Sequence, residues 1–186
     1  LYAEVTIKGT ERLLHGVMSL PHVEQFIFSS TQLVHAPCSP GERINEQWPV
    51  EPSWDYPKSK IKTEGLLRHE HRNIPLVILR MAGVYNDQGH SIPIANQIQR
   101  IYEKRLTGHV FPGDTTHGQP FLHVDDLVDA IWLTVEHRTQ FSPEEVMLLG
   151  EPETYSYGML QKELGRLIHG DANWETMQIP KVVAKT

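Results

Sequence analysis

Three short apolar runs separated by stretches of helical periodicity constrain this chain most. VEQFIFSS (23–30), PLVILR (75–80) and VMLLG (146–150) are rich in branched and aromatic residues and too short for helices, as strands buried in a sheet are. Around them, apolar side chains return every three or four positions. Over 1–19 these are Val5, Ile7, Leu13, Leu14, Val17 and Met18, and similar spacing predicts helices over 57–72, 92–106, 124–138 and 157–170. Such alternation predicts an α/β fold, a parallel sheet covered by helices. Residues 23–29 and 75–80 should then be adjacent parallel strands, with helices 1–19 and 57–72 packed on one side. The Pro-rich run 32–55 reads as a loop.

In a doubly wound sheet, ligands bind at the carboxyl ends of the strands. FIFSST closes on Ser29, Ser30 and Thr31. A hydroxyl there either hydrogen-bonds a substrate oxygen or simply caps the strand and opens the turn. WDYPKSK (54–60) then sets Tyr56 one helical turn before Lys60. Pro57 marks the helix start, because a first-turn N–H has no partner to lose, so Tyr56 and Lys60 share a helix face. An ammonium beside a phenol favours the phenolate and is expected to lower Tyr56 from its usual value of about 10. A phenol tuned that way exchanges protons as acid or base. The same spacing also arises by chance in many helices.

Composition narrows the classes. The net charge of −6 leaves no basic stripe for nucleic acid or an anionic membrane. The single cysteine, Cys38, permits no intramolecular disulfide, which fits a reducing, cytoplasmic setting. It lies in the Pro-rich loop with no cation at hand to activate it. No run reaches the roughly 18 apolar residues of a membrane span, and no secretory leader is visible. The eleven histidines lack the spacing of metal ligands, so no metal site is expected. In HVDDLVDA, Asp125 or Asp126 reads more simply as a helix N-cap than as half of a catalytic carboxylate pair.

Taken in order, four landmarks resemble the extended short-chain dehydrogenase/reductase superfamily, in its NAD-dependent epimerase/dehydratase branch. IKGTERLL is similar to its V-x-G-T-x-x-L-L helix. The SST strand end is followed by a Y-x-x-S-K element, here Tyr56 to Lys60. LRMAGVYN resembles L-R-x-x-N-x-x-G, and FLHVDDLVDAI resembles F-I-H-V-D-D-[VL]-V-D-A. The resemblance spans nearly the whole chain. It implies the C-terminal part of a Rossmann-like parallel sheet with flanking helices, plus a small substrate-binding lobe. Residues 1–90 would be the second half of an NAD(P)-binding domain carrying the catalytic residues. Residues 91–186 would be mostly the substrate lobe, with about 118–150 returning to the Rossmann part.

The same resemblance implies NAD or NADP as cofactor and hydride transfer at a hydroxyl or carbonyl carbon. Tyr56 would be the general acid/base, Thr31 would bond the substrate oxygen, and Lys60 would hold the nicotinamide ribose and bias Tyr56. Ser29, Ser30, Met81 and Gly83 would lie beside the cofactor with Tyr56 and Lys60. Thr31, Gln119 and Thr6 would meet a small-molecule substrate. Helices 1–19 and 57–72 would pair with those of a second subunit in a homodimer, with no nucleic-acid or membrane partner.

Departures from the pattern shape the expectation further. No G-x-G-x-x-G phosphate loop occurs, and the first landmark falls midway through the family's Rossmann half. Roughly the first hundred residues of a parent protein, and its far C-terminus, are therefore expected to lie outside this chain, which leaves NAD against NADP open. Thr6 stands where the family has Asn before V-x-G-T. Gly83 stands for the Asn of L-R-x-x-N, and Gln119 for an arginine that commonly binds a nucleotide diphosphate. Two phosphate charges need cations, so the expected substrate is a small uncharged or singly charged sugar, polyol or ketone. Arg100 and Arg105 are the cations that could stand in. The alternatives are a nucleotide-sugar 4-epimerase and a non-catalytic dinucleotide-binding sensor or scaffold. The intact Thr31, Tyr56 and Lys60 set favours an enzyme.

Overall fold

Strand Leu76–Met81 (β2) lies at the centre of a three-stranded parallel sheet, between Phe26–Thr31 (β1) and Glu144–Leu149 (β6). The registers align Thr31 with Met81 and Met81 with Leu149. Leu76 to Arg80 are all buried, which is why this run carries no polar alternation. The sheet belongs to a computed structural model that describes residues 2–39, 41–89, 91–104 and 106–180. The chain forms two compact units, one of Leu1–Ala82 with Asp125–Gly150 and one of Gly83–Val124 with Glu151–Thr186.

In the first unit, helix Gly9–Met18 (α1) buries Leu14 and helix Asp55–Glu70 (α2) buries Leu67. Both leucines pack in one cluster with Phe26, Phe28, Leu76 and Ile78. Alternate residues of two adjacent strands point to the same face, so both helices cover that face, as expected. Each fully buried leucine contributes about 2 kcal/mol of apolar burial. Helix Val124–Glu136 (α4) also belongs to this unit from Asp125 onward. No helix among the described residues is long and apolar enough to cross a membrane.

Five details depart from the sequence expectations. β1 begins at Phe26, where the N–H first finds the Pro75 carbonyl (2.8 Å), and it runs through all three hydroxyl residues. α2 begins at Asp55, with extended Trp54 as N-cap, so Pro57 is its third residue. α4 begins at Val124, which puts Asp125 and Asp126 inside its first turn. They are not caps there, although the helix dipole still favours their charge. The Pro-rich run is also organised: His35 bridges Val50, Ala36 N–H bonds Pro49 O (2.8 Å), and the Trp48 indole donates to Ala36 O (3.0 Å). Ahead of α1, Ala3–Lys8 is a π-helix.

The second unit holds two parallel pairs, Gly83–Tyr85 (β3) with Phe121–His123 (β5), and Val110–Pro112 (β4) with Met177–Ile179 (β7). Helices Ile92–Tyr102 (α3) and Tyr157–His169 (α5) pack together. Buried Trp174 fits against Gly165 of α5, where an added Cβ would meet its Cβ at 2.4 Å. Its indole N–H donates to Gly108 O (3.2 Å), and its ring stacks with those of His109 and His169.

Candidate active site

The strand end and the start of α2 meet in the first unit. Tyr56 lies in the first turn of α2 with the Thr31 hydroxyl as its hydrogen-bonding neighbour. Thr31 Oγ1 itself accepts from Leu33 N (3.3 Å) as the N-cap of a short 3-10 turn. With its oxygen so engaged, its O–H is free to donate toward the phenol or toward an oxygen beside it. Lys60, one turn along, donates from Nζ to the Ser29 carbonyl at 2.7 Å. Met81 is aligned with Thr31 at the same strand ends.

The electrostatics differ from the expectation in one respect. Tyr56 sits above its ordinary pKa, not below it. Burial is the leading cause, neighbouring Tyr2 adds to it, and the Thr31 hydrogen bond opposes it. Lys60 does not depress the phenol because its ammonium is turned to the strand: Nζ lies 5.8 Å from the Tyr56 ring centroid and 5.0 Å from that of Phe28. Burial lowers Lys60 in turn, with Glu64 partly restoring it. Both groups are thus biased toward their neutral forms.

The remaining residues separate. Ser29 is exposed, whereas Ser30 is buried and its hydroxyl donates to Glu64 Oε1 at 2.5 Å. No side-chain surface of Ser30 is left for a ligand. Thr6 lies half-buried in the π-helix that packs along α2, where Tyr2 also meets the Tyr56 ring (centroids 5.8 Å apart). Gly83 and Gln119 belong to the second unit and touch each other. A Cβ at Gly83 would lie 2.7 Å from Gln119 Nε2 and 3.3 Å from the Phe121 ring. Arg100 is half-buried on α3 and donates from Nε to Asn96 O (3.1 Å). Arg105 lies outside the described residues.

Sequence reasoning missed Glu64. It is buried beside Arg80 of β2, which donates from Nη2 to Glu64 Oε2 at 2.7 Å and from Nε to Oε1 at 3.3 Å. Arg80 Nη1 also reaches His35 Nε2 and the Glu46 carbonyl, both at 3.2 Å. In the sequence, Glu64 is simply one more charge on a polar helix. The signal that could have found it is a second step of four residues: Tyr56, Lys60 and Glu64 occupy successive turns of one face.

The NAD dependent epimerase/dehydratase family model matches residues 1–150. A comparison with curated protein sequences finds no match. Among solved structures, the chain is similar to UDP-glucuronic acid 4-epimerase from Bacillus cereus in complex with NAD, at 24% identity and TM-score 0.81, covering 97% of this chain and 57% of that one. It is also similar to UDP-glucose 4-epimerase with UDP-glucose from Thermotoga maritima, at 25% identity and TM-score 0.74, covering 96% and 57%. A third similarity is to dTDP-glucose 4,6-dehydratase from Bacillus anthracis in complex with NAD, at 20% identity and TM-score 0.76, covering 96% and 56%. The chain thus spans little more than half the length of these proteins, and its α/β fold is the Rossmann fold that they share.

Proposed function

Because this chain belongs to the NAD dependent epimerase/dehydratase family, we propose that the whole protein is an NAD-dependent oxidoreductase, epimerase or dehydratase. It acts on a hydroxyl or carbonyl carbon of a sugar or small alcohol/ketone, with Tyr56 as the acid/base. The observation that carries this reading is the phenol of Tyr56 beside the Thr31 hydroxyl, with Lys60 one turn on, at the carboxyl end of a parallel strand. NAD is favoured by the solved relatives that contain it.

The residues present fit the nicotinamide-ribose end of such a cofactor. Lys60 has three N–H donors and directs one to Ser29 O, which leaves two for ribose hydroxyls. Exposed Ser29 and half-buried Met81 line the same strand ends. The bound dinucleotide supplies hydride exchange with the reacting carbon. Thr31 donates its O–H to the substrate oxygen, which fixes that oxygen against Tyr56. The phenol then gives a proton to that oxygen when it becomes a hydroxyl, and takes it back in reverse. Since burial keeps Tyr56 protonated, its resting role is the acid. Tyr56→Phe in the whole protein is expected to lower turnover by about 10² to 10⁴-fold while cofactor affinity, measured by fluorescence titration, changes little. Unchanged turnover would sink the acid/base role of Tyr56, whereas cofactor binding with no turnover in the unaltered protein would favour the sensor or scaffold reading.

The second unit is the proposed substrate lobe, with Gln119 beside Gly83 as a neutral donor and acceptor. Thr6 is a further substrate contact from the π-helix in this reading. A neutral amide suits a sugar, polyol or ketone better than a nucleotide diphosphate. A second reading, nucleotide-sugar 4-epimerisation, is favoured by the names of the similar structures. Calorimetry of the cofactor-loaded whole protein against UDP-, GDP- and dTDP-sugars separates the two. No micromolar binding is expected; such binding to any one of them would select the second reading. The assembly proposed with this activity is a homodimer through α1 and α2.

A further inference from the structure

The strand end and α2 are matched residue by residue. Three consecutive residues of β1 meet three successive turns of the helix. Thr31 meets Tyr56, the Ser29 carbonyl takes the Lys60 ammonium (2.7 Å), and the Ser30 hydroxyl donates to Glu64 (2.5 Å). Glu64 is the anchor of this match. Its side chain is 1% exposed and is held by Arg80, at 4%, from the neighbouring strand. A single buried carboxylate therefore bonds α2 to β1 and β2 at once.

Other groups on the buried face of α2 leave this task to Glu64. Ser59 Oγ donates to Tyr56 O (2.6 Å) and Thr63 Oγ1 to Ser59 O (2.9 Å). Both hydroxyls are spent on the helix's own carbonyls and hold nothing across the interface. A buried ion pair is weak evidence of stability, because desolvation offsets most of its attraction. What such a pair does supply is a single geometry. Any slip of α2 along the sheet would part both Glu64 oxygens from Arg80 and leave two buried charges uncompensated.

We propose that Glu64 is the positioning residue of the Tyr56–Lys60 pair: it holds α2 in register with the Ser29–Thr31 strand end and so keeps Lys60 aimed at the Ser29 carbonyl. Its meaning for catalysis rests on the proposed role of Tyr56, but the positioning is measurable without turnover. The charge of Glu64 opposes the burial that lowers Lys60, which agrees with the geometry.

The test is nuclear magnetic resonance of the 186-residue chain, following the Lys60 side-chain titration and the Ser29 carbonyl carbon. The Lys60 signals are assigned with Lys60→Met. In Glu64→Gln/Arg80→Gln the buried charges go together, so neither is left as an orphaned ion. Lys60 is expected to titrate at lower pH than in the parent chain. Loss of the Arg80 charge alone would move Lys60 the other way, so a fall belongs to Glu64. A Lys60 midpoint that stays or rises overturns the proposal. If this variant does not fold, Ser30→Ala decides, since it removes only the strand contact and keeps both charges. There the Ser29 carbonyl resonance is expected to move, and an unmoved resonance overturns the proposal. Neither readout depends on turnover, so a failure here is distinct from a Tyr56→Phe variant that stays active.

Discussion

His35 illustrates how a buried partner set fixes the state of one residue. Its Nδ1 faces the Trp48 carbonyl at 3.0 Å, and its Nε2 faces Arg80 Nη1 at 3.2 Å. A carbonyl only accepts and a guanidinium only donates. The ring must therefore be neutral, with the proton on Nδ1. Burial lowers its pKa below 6.5, and Arg80 lowers it further. The Trp48 and Pro49 carbonyls and the charge of Glu64 oppose them. Because the folded pKa is depressed, the unfolded chain binds a proton that the fold refuses, and stability rises with pH through that window. His35 thus contributes fully above about pH 6.5 and progressively less as pH falls toward its folded value. Urea unfolding at pH 7.5 and 5.5 should show a steeper loss in the parent than in His35→Asn, which cannot titrate. Equal losses in the two would refute this account. Tyr56 and Lys60 were legible in the sequence because their relation is local, one turn of helix. The upward direction of the Tyr56 shift was not, since it depends on burial and on where the Lys60 ammonium points.

At the scale of elements, legibility followed apolar periodicity. β2 was readable from its unbroken run, and α1 from the spacing of Leu13, Leu14, Val17 and Met18. α2 was located by Pro57 and not by amphipathicity, since its buried face includes Ser59, Thr63 and Glu64. A polar face of that kind is satisfied by partners such as Arg80 and Ser30 that lie far along the chain, so no window around α2 contains the explanation. The π-helix was read as ordinary helix because its wider turn leaves apolar spacing unchanged at this length. α5 shows a constraint of the opposite kind, the need for an absent side chain. Gly165 meets Trp174, whose indole is already committed to Gly108 O. Gly165→Ala gains helix propensity of about 1 kcal/mol but must displace that ring. Overpacking should win, with a net destabilisation of about 1–3 kcal/mol, read by chemical denaturation together with a change in near-ultraviolet circular dichroism. A variant as stable as the parent would mean that Trp174 yields freely.

For the whole molecule, the alternation of strand and helix was enough to reach an α/β architecture, whereas the expected division into a Rossmann part and a substrate lobe came from the family resemblance and not from periodicity. That division depends on which distant segments pack together, as when Asp125–Gly150 joins Leu1–Ala82. Assembly is the remaining question at this scale, and the surface bears on it. Leu14 of α1 is buried in the core, while Leu13 beside it is 58% exposed and Val5, on the preceding π-helix, is 63% exposed. Tyr2 adds a half-exposed ring on the same segment. The exposed positions of α2 are Asp55, Lys58, Lys62, Gly65, Arg68 and His69, none of them a large apolar side chain. The exposed apolar side chains Tyr2, Val5 and Leu13, set among Glu4, Lys8, Arg12 and His15, are therefore the part that gains most from a second copy. A homodimer through α1 and α2 should appear as twice the chain mass in light scattering. Val5→Asp with Leu13→Asp should shift it to monomer, because each carboxylate would lose its hydration in the interface. A parent protein that stays monomeric at high micromolar concentration would rule the dimer out. A dimer untouched by the double variant would move the interface away from α1.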